Sequence, residues 1–367
     1  MPAMPKHLPT EQWIHTNDLD PVGFFSDTYE TFQKVRDKVG GSIDKYYYLH
    51  GHLICFSFLE RALIPKLTRA LTHWEVAPGG DPEFTICLWD DASTGTKMPP
   101  PPWYGYATYM PRGDIRGYNT ERIRTAFQMG SDVLCTLDLS QNKAIYWTRN
   151  AEHLPQWEIG SPLRLILHWW LREQGLQLVH AGAVGLPDGG VLVVGKGGSG
   201  KSTTALTCLK SDLLYASDDY CLVSADPVPT AYNLYNTGKV REDDIYRLPH
   251  LEDFISNFDR LDQEKALFFL NEVLPHKLIH RFPLRAVLIP TVTGQIDTTL
   301  SPAPATASLS ALMLSTIKQL AGAGPAAVQV LKRLVEKLPN YYLELGTDLS
   351  QIPGTILDLL ATLDNDQ

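Results

Sequence analysis

Apolar residues fall in short blocks along this chain, and the blocks change kind on passing about residue 160. Before that point Leu53-Ile54-Cys55-Phe56-Ser57-Phe58 and Phe84-Thr85-Ile86-Cys87-Leu88-Trp89 are runs rich in β-branched and aromatic residues, which predict strands, and Leu59–Trp74 between them has helix-like spacing. The stretch Thr10–Ala92 therefore reads as a mixed α/β unit. Pro99–Pro102, introduced by Ser93-Thr94-Gly95-Thr96 and ending in Trp103, suits neither helix nor central strand and predicts an exposed loop. Val133–Asp138 and Lys143–Thr148, separated by Ser140-Gln141-Asn142, predict a hairpin.

From Ser161 onward strands and helices alternate. Ser161-Pro162 supplies N-cap and first-turn signals for a helix Leu163–Glu173 that stops at Gly175, with Trp169-Trp170 as packing between two units. There follow a strand Leu176–Val184, the turn Pro187-Asp188-Gly189-Gly190, a strand Val191–Val194, a helix Thr203–Lys210 and a strand Leu213–Tyr215. Later come a strand Ala286–Ile289, helices near Leu309–Leu320 and Ala326–Leu338, a linker Pro302-Ala303-Pro304-Ala305 and a last strand Tyr341–Leu345. This order predicts an α/β nucleotide-binding unit over 161–367, preceded by an α+β unit over 1–160 in which no chemistry is evident. Residues 1–160 are a candidate for recognising whatever residues 161–367 act on.

With 44% apolar and 20% charged residues, 367 residues are enough for two soluble cores, which excludes the disordered class; no apolar stretch approaches 18 residues, which excludes a membrane partner. A net charge of −9 with no compensating Lys/Arg run argues against nucleic acid. Cys55, Cys87, Cys135, Cys208 and Cys221 form no paired motif and predict buried thiols in a reducing compartment. The first 25 residues carry Glu11, Asp18 and Asp20 and no apolar leader core, so a cytoplasmic protein is expected. No heptad or apolar stripe fixes the oligomeric state, and a homo-oligomer stays open.

The chemistry concentrates in Gly195-Lys196-Gly197-Gly198-Ser199-Gly200-Lys201-Ser202, a G-x-x-x-x-G-K-[ST] phosphate loop between an apolar strand and a helix-compatible run that starts with Thr203. Its glycines let backbone N–H groups curl around phosphates; Lys201 supplies charge and Ser202 a hydroxyl for Mg²⁺. A nucleoside triphosphate site is therefore expected. Ser217-Asp218-Asp219 follows the next strand, where two carboxylates could divide metal binding and proton acceptance, or simply solvate a surface turn.

His180-Ala181-Gly182-Ala183-Val184, the phosphate loop and Asp218-Asp219 together resemble the catalytic domain of the HPr serine kinase/phosphorylase family. The resemblance implies a P-loop kinase core related to phosphoenolpyruvate carboxykinase, and the use of ATP and Mg²⁺ to phosphorylate a serine hydroxyl. It makes Lys201 the phosphate clamp, Ser202 a magnesium ligand, Asp218 the base and Asp219 a second metal contact, with His180 near the γ-phosphate. Asn236–Val240 and Glu264–Leu270 are similar to segments of related kinases from peptide natural-product clusters, which implies a peptide or protein acceptor such as a precursor peptide. Residues 1–160 do not resemble that family's usual N-terminal domain. Lys239 and Lys265 are candidates for neutralising phosphate charge, followed by Arg241, Arg281 and Arg285, with Glu264 a further candidate metal contact. A nucleotide-gated binding module and a small-molecule alcohol kinase stay open beside the peptide kinase, because a phosphate loop reads phosphates and not acceptors.

Overall fold

The structure, a computed structural model, describes residues 19–103, 109–110 and 112–365. Residues 10–18 of the first predicted unit, and most of the segment searched for a leader, lie outside these. The fold is mixed α/β, with two large sheets and a two-stranded ribbon.

The first sheet contains β1 (Ile43–Leu49), β2 (His52–Phe58), β3 (Glu75–Val76), β4 (Phe84–Asp90), β5 (Ile123–Gln128), β6 (Val133–Asp138) and β7 (Lys143–Thr148), in the order β3-β1-β2-β4-β7-β6-β5. β6 and β7 form the expected hairpin. Both faces are buried, and alternation along β4 sorts its side chains: Cys87 and Trp89 face one apolar cluster, Ile86 and Leu88 the other. A helix Pro21–Val39 covers the first cluster with Phe24, Phe25 and Phe32; Asp20 caps it by accepting from Gly23 N–H at 2.7 Å. Pro99–Pro102 has no regular structure, and Trp103 anchors its end by packing edge-on against Phe24 and Tyr118.

The second sheet contains β8 (Gln177–Val179), β9 (Gly182–Leu186), β10 (Gly189–Val193), β11 (Leu214–Ser217), β12 (Cys221–Ser224) and β13 (Thr230–Tyr232). The ribbon of β14 (Thr237–Val240) and β15 (Ala266–Phe269) stands apart from it, and β16 (Arg281–Val292), β17 (Thr299–Pro302) and β18 (Asn340–Leu345) complete it. Again both faces are covered. Val191 and Val193 of β10 pack toward the helices Lys201–Thr207 and Gln351–Asn365, whereas Leu192 and Val194 pack toward Ala305–Thr316 and Pro325–Lys337.

Three local expectations are corrected. Leu59–Trp74 is not one helix but a chain of short turns, 3₁₀ over Arg61–Leu63, α over Ile64–Thr68 and 3₁₀ over Arg69–Trp74; Pro65 opens the short α segment, where its missing N–H costs nothing, and cannot continue a helix begun before it. Leu176–Val184 is two strands broken at His180-Ala181. The helix Arg164–Glu173 starts after Leu163, which lies in the left-handed region (φ 57°) and has no polar side chain to cap it; Ser161, the expected cap, stands two residues earlier, and its hydroxyl accepts from Lys239 Nζ at 2.7 Å. All five cysteines are buried and free. Among the described residues no helix is long and apolar enough to cross a membrane.

The helix Arg164–Glu173 joins the sheets. Trp170 stacks on Phe84 of β4 (centroids 4.8 Å apart, 3° between planes) and donates to Asn142 Oδ1 at 3.0 Å, while Trp169 donates to the Ala321 carbonyl at 2.7 Å. One apolar cluster therefore contains Phe84 and Tyr146 from the first sheet together with Leu178 and Leu222 from the second. Trp170→Ala should cost about 3–5 kcal/mol, and urea unfolding followed by fluorescence and by far-UV dichroism should give one shared transition at lower midpoint rather than two.

Candidate active site

β10 ends at Val193, and Val194 still donates to Leu288 O at 2.8 Å before the chain leaves the sheet as the loop Gly195–Gly200. Gly198 (φ 79°) and Gly200 (φ 106°) turn it through left-handed backbone, and a Cβ on Gly200 would lie 2.4 Å from Leu345 Cδ1. Gly200 then opens the helix Lys201–Thr207, which no side chain caps. Lys196, Gly197 and Gly198 are exposed at the mouth, and Ser199 keeps a buried Oγ without a partner. Lys201 is buried and folds back over its own loop, donating to Gly195 O at 2.7 Å and Lys196 O at 3.2 Å.

Opposite the loop, two antiparallel strand pairs share one register. Ser217 of β11 faces Ala183 of β9, and Cys221 of β12 faces Val179 of β8, so three residues on each side, 180–182 and 218–220, separate the paired runs. The ladder opens as a bubble and closes again in step. Freed from strand pairing there, His180, Asp218, Asp219 and Tyr220 all line the same cleft, of about 830 Å³, as Lys201 and Ser202.

Within the bubble Asp219 accepts from His180 Nε2 at 2.9 Å through Oδ1 and from Lys239 Nζ at 2.9 Å through Oδ2. Asp218, 1% exposed, accepts from the Tyr215 hydroxyl at 2.8 Å and from Lys239 N–H at 3.2 Å. The two carboxyls are driven apart. Burial and the neighbouring Asp219 charge raise the pKa of Asp218; burial alone would raise Asp219 too, but the Lys239 ammonium and the His180 bond outweigh it and hold Asp219 well below the usual range.

Of the other expected residues, Lys265 lines the cleft from an exposed position, and Arg241 and Glu264 line it as well; Glu264 Oε1 accepts from Gln156 N–H at 3.1 Å, and its Oε2 is buried without a partner. Thr203 lies on the cleft wall one residue past Ser202. Arg281 and Arg285 are not part of this cleft: Arg281 sits in the β13–β16 pairing and Arg285 bonds Asp188 O at 3.1 Å. Sequence reading passed over Ser161, Arg164, Tyr220 and Gln319, which line or support the site. Tyr220 alone had a signal, as the neighbour of the Asp pair.

The donor set fits a magnesium nucleotide. Among the described residues no group of three or more His, Cys, Asp or Glu is disposed to cage a metal, and Mg²⁺ is usually held by one or two protein oxygens completed by phosphate and water. Ser202 beside Asp218, with Asp219 adjoining, supplies such a partial set. Six Lys/Arg and four Asp/Glu line the cleft, so it is locally cationic within a chain of net charge −9.

No protein-family model matches the chain, and no curated protein matches it in sequence. Among solved structures it is similar to the HPr(Ser) kinase/phosphatase from Coxiella burnetii, with 8% identity and a TM-score of 0.30 over 51% of this chain and 99% of that one.

Burial pulls the Lys201 pKa from 10.5 down to about 8, against the opposing pull of Asp219 and Asp218. Below pH 8 both folded and unfolded chains carry this proton, and the folded state bears the full penalty, on the order of 3 kcal/mol. Between about pH 8 and 10.5 the unfolded chain binds the proton more tightly, so this group's contribution to stability rises with pH. Lys201→Met should therefore be more stable than wild type at pH 7, with the difference in thermal midpoint shrinking from pH 8 toward pH 10.

Proposed function

We propose that this chain is a phosphotransferase that moves the γ-phosphoryl group of ATP to an alcohol, a serine of a peptide or protein acceptor such as a natural-product precursor peptide. The reading is carried by the opposite displacement of Asp218 and Asp219 beside a buried phosphate-loop lysine. Two neighbouring carboxyls whose environments pull their pKa values apart are suited to different tasks. Asp218, raised, takes a proton; Asp219, held ionised, faces cations.

In this scheme the loop N–H groups and Lys201 hold the phosphates, and Ser202 with Asp219 holds Mg²⁺, which supplies charge neutralisation on the phosphate oxygens. The acceptor oxygen forms a bond to the γ-phosphorus as the bond from that phosphorus to the β,γ-bridging oxygen breaks; the acceptor's proton passes to an Asp218 carboxylate oxygen, and ADP leaves. Lys239 and Lys265 offset the charge on the transferring group. Residues 1–160 are assigned to acceptor recognition, and the compartment is assigned to the cytoplasm.

Incubation with γ-labelled ATP and Mg²⁺, with and without a serine-bearing peptide encoded beside the gene, should place label on the peptide serine. Asp218→Asn should lower transfer at least about 100-fold while nucleotide affinity stays within about threefold, and Lys201→Ala should lose both. Label in the low-molecular-weight fraction would move the acceptor to a small alcohol. Phosphate release with no labelled acceptor would favour the nucleotide-gated module.

A further inference from the structure

We infer that the acceptor peptide docks the segment flanking its serine in a second groove beyond Gln319, where an apolar side chain of the peptide lies against Phe127 and Met129 and an Asp or Glu side chain pairs with Lys318. The inference rests on the phosphotransferase reading for calling the occupant an acceptor.

The groove, of about 470 Å³, is built from both halves of the chain. Phe127 of β5, Met129 in the turn that follows and Met110 supply apolar lining, and Lys318 comes from the segment between the helices Ala305–Thr316 and Pro325–Lys337. Met110 and Met129 are exposed, and flexible thioether side chains left in water beside a groove can repack around an apolar partner. None of the described residues lining the groove carries a carboxylate, and Lys318 is exposed with no ion pair among the described residues. In a chain of net charge −9 such an uncompensated cation selects an anionic partner.

The place of the groove relative to the cleft identifies its occupant. Gln319 lines both; its amide meets His180 Nδ1 at 3.1 Å, and His180 meets Asp219 at 2.9 Å. Trp157 makes a second link, since it lines the cleft and a Cβ on Gly130, next to Met129, would lie 3.8 Å from its Cζ2. With the phosphates held by the loop, ADP departs on the loop side, and the hydroxyl must arrive in line from the other side of the γ-phosphorus. His180 and Asp219 stand opposite the loop, and the groove opens behind them. A peptide with its serine in the cleft passes Gln319 and, at about 3.5 Å per residue, brings positions about three to five residues away into the groove. The wall it passes is preformed: Arg112 Nη1 donates to the carbonyls of Ile317, Leu320 and Ala323 at 3.0, 3.2 and 3.2 Å, Trp169 Nε1 to that of Ala321 at 2.7 Å, and Arg172 Nη1 to that of Gly322 at 3.0 Å. A wall fixed by three side chains from other elements needs no ordering when the peptide binds.

The test uses the full-length protein, γ-labelled ATP with Mg²⁺, and short synthetic peptides with one central serine in an Ala/Gly background, in which each flanking position in turn is Leu, Glu or Lys. Wild type should prefer Leu at one position and Glu over Lys at another, both on the same side of the serine and within about five residues of it. Met129→Asp should lower kcat/KM for the Leu peptide about 10-fold, through KM. Lys318→Glu should reverse the Glu-over-Lys preference at that same position, which damage to the fold would not do. Both side chains are exposed and lie outside the catalytic cleft, so nucleotide affinity should be unchanged in both variants. Transfer with no flanking preference, or a preference that Lys318→Glu leaves unreversed, overturns the inference and leaves the phosphotransferase reading standing. Binding is read separately from the anisotropy of a fluorescein-labelled peptide carrying both Leu and Glu. Binding to wild type that is weakened about fivefold in Lys318→Glu and regained by the Lys counterpart, with no transfer, upholds the groove and overturns phosphotransfer to serine. Failure of every peptide to bind overturns the groove.

Discussion

The buried ammonium of Lys239 is the contact on which the rest of the cleft depends. It reaches Ser161 Oγ at 2.7 Å and Asp219 Oδ2 at 2.9 Å, while the same residue's N–H holds Asp218 Oδ2 at 3.2 Å. One residue of the β14–β15 ribbon thereby ties the entrance of the Arg164–Glu173 helix to both carboxyls of the bubble. The stem passes so close to Gly160 that a Cβ there would lie 2.7 Å from Lys239 Cε. A charge so placed stabilises only while its partners stay; without it, Asp219 would be a largely buried anion facing a single histidine.

The same contact explains how the local field differs from the global one. An acidic chain would repel a triphosphate at long range, but that repulsion is screened beyond about 10 Å in ordinary salt. Inside the cleft the near charges decide, and they are mainly Lys and Arg. Of the carboxylates there, Asp219 is held by Lys239 and His180 at 2.9 Å each.

Much of this arrangement was legible in the residues. β10, the loop and its helix could be read because the glycines and the apolar run are local requirements, and the β6–β7 hairpin because alternation and its turn residues agree. Lys239 and the Asp pair were singled out by motif and resemblance, and they do meet in space. Ser161 was misread as a helix cap because serine before proline looks the same whether its hydroxyl serves the backbone or a lysine 78 residues away. Gln319 left no trace as a cleft residue, since a glutamine between two helices carries no periodicity. The break at His180 was hidden for the opposite reason: the apolar pattern runs straight through it, and only the pairing shows the strands parting.

That parting sets how the chain is free to vary in length. The bubble keeps step because three residues stand on each arm, with paired strands clamping both ends. A residue inserted in one arm alone would turn every later side chain on that arm to the opposite face, separating the imidazole from the carboxylate or the carboxylates from the lysine. The two-residue turn Pro187-Asp188 and the surface connection through Asp226-Pro227 lie outside the clamp and are under no such restriction. Among descendants of this sequence, insertions and deletions should therefore collect in those connections, and the two short arms should keep a common count even where their residues change.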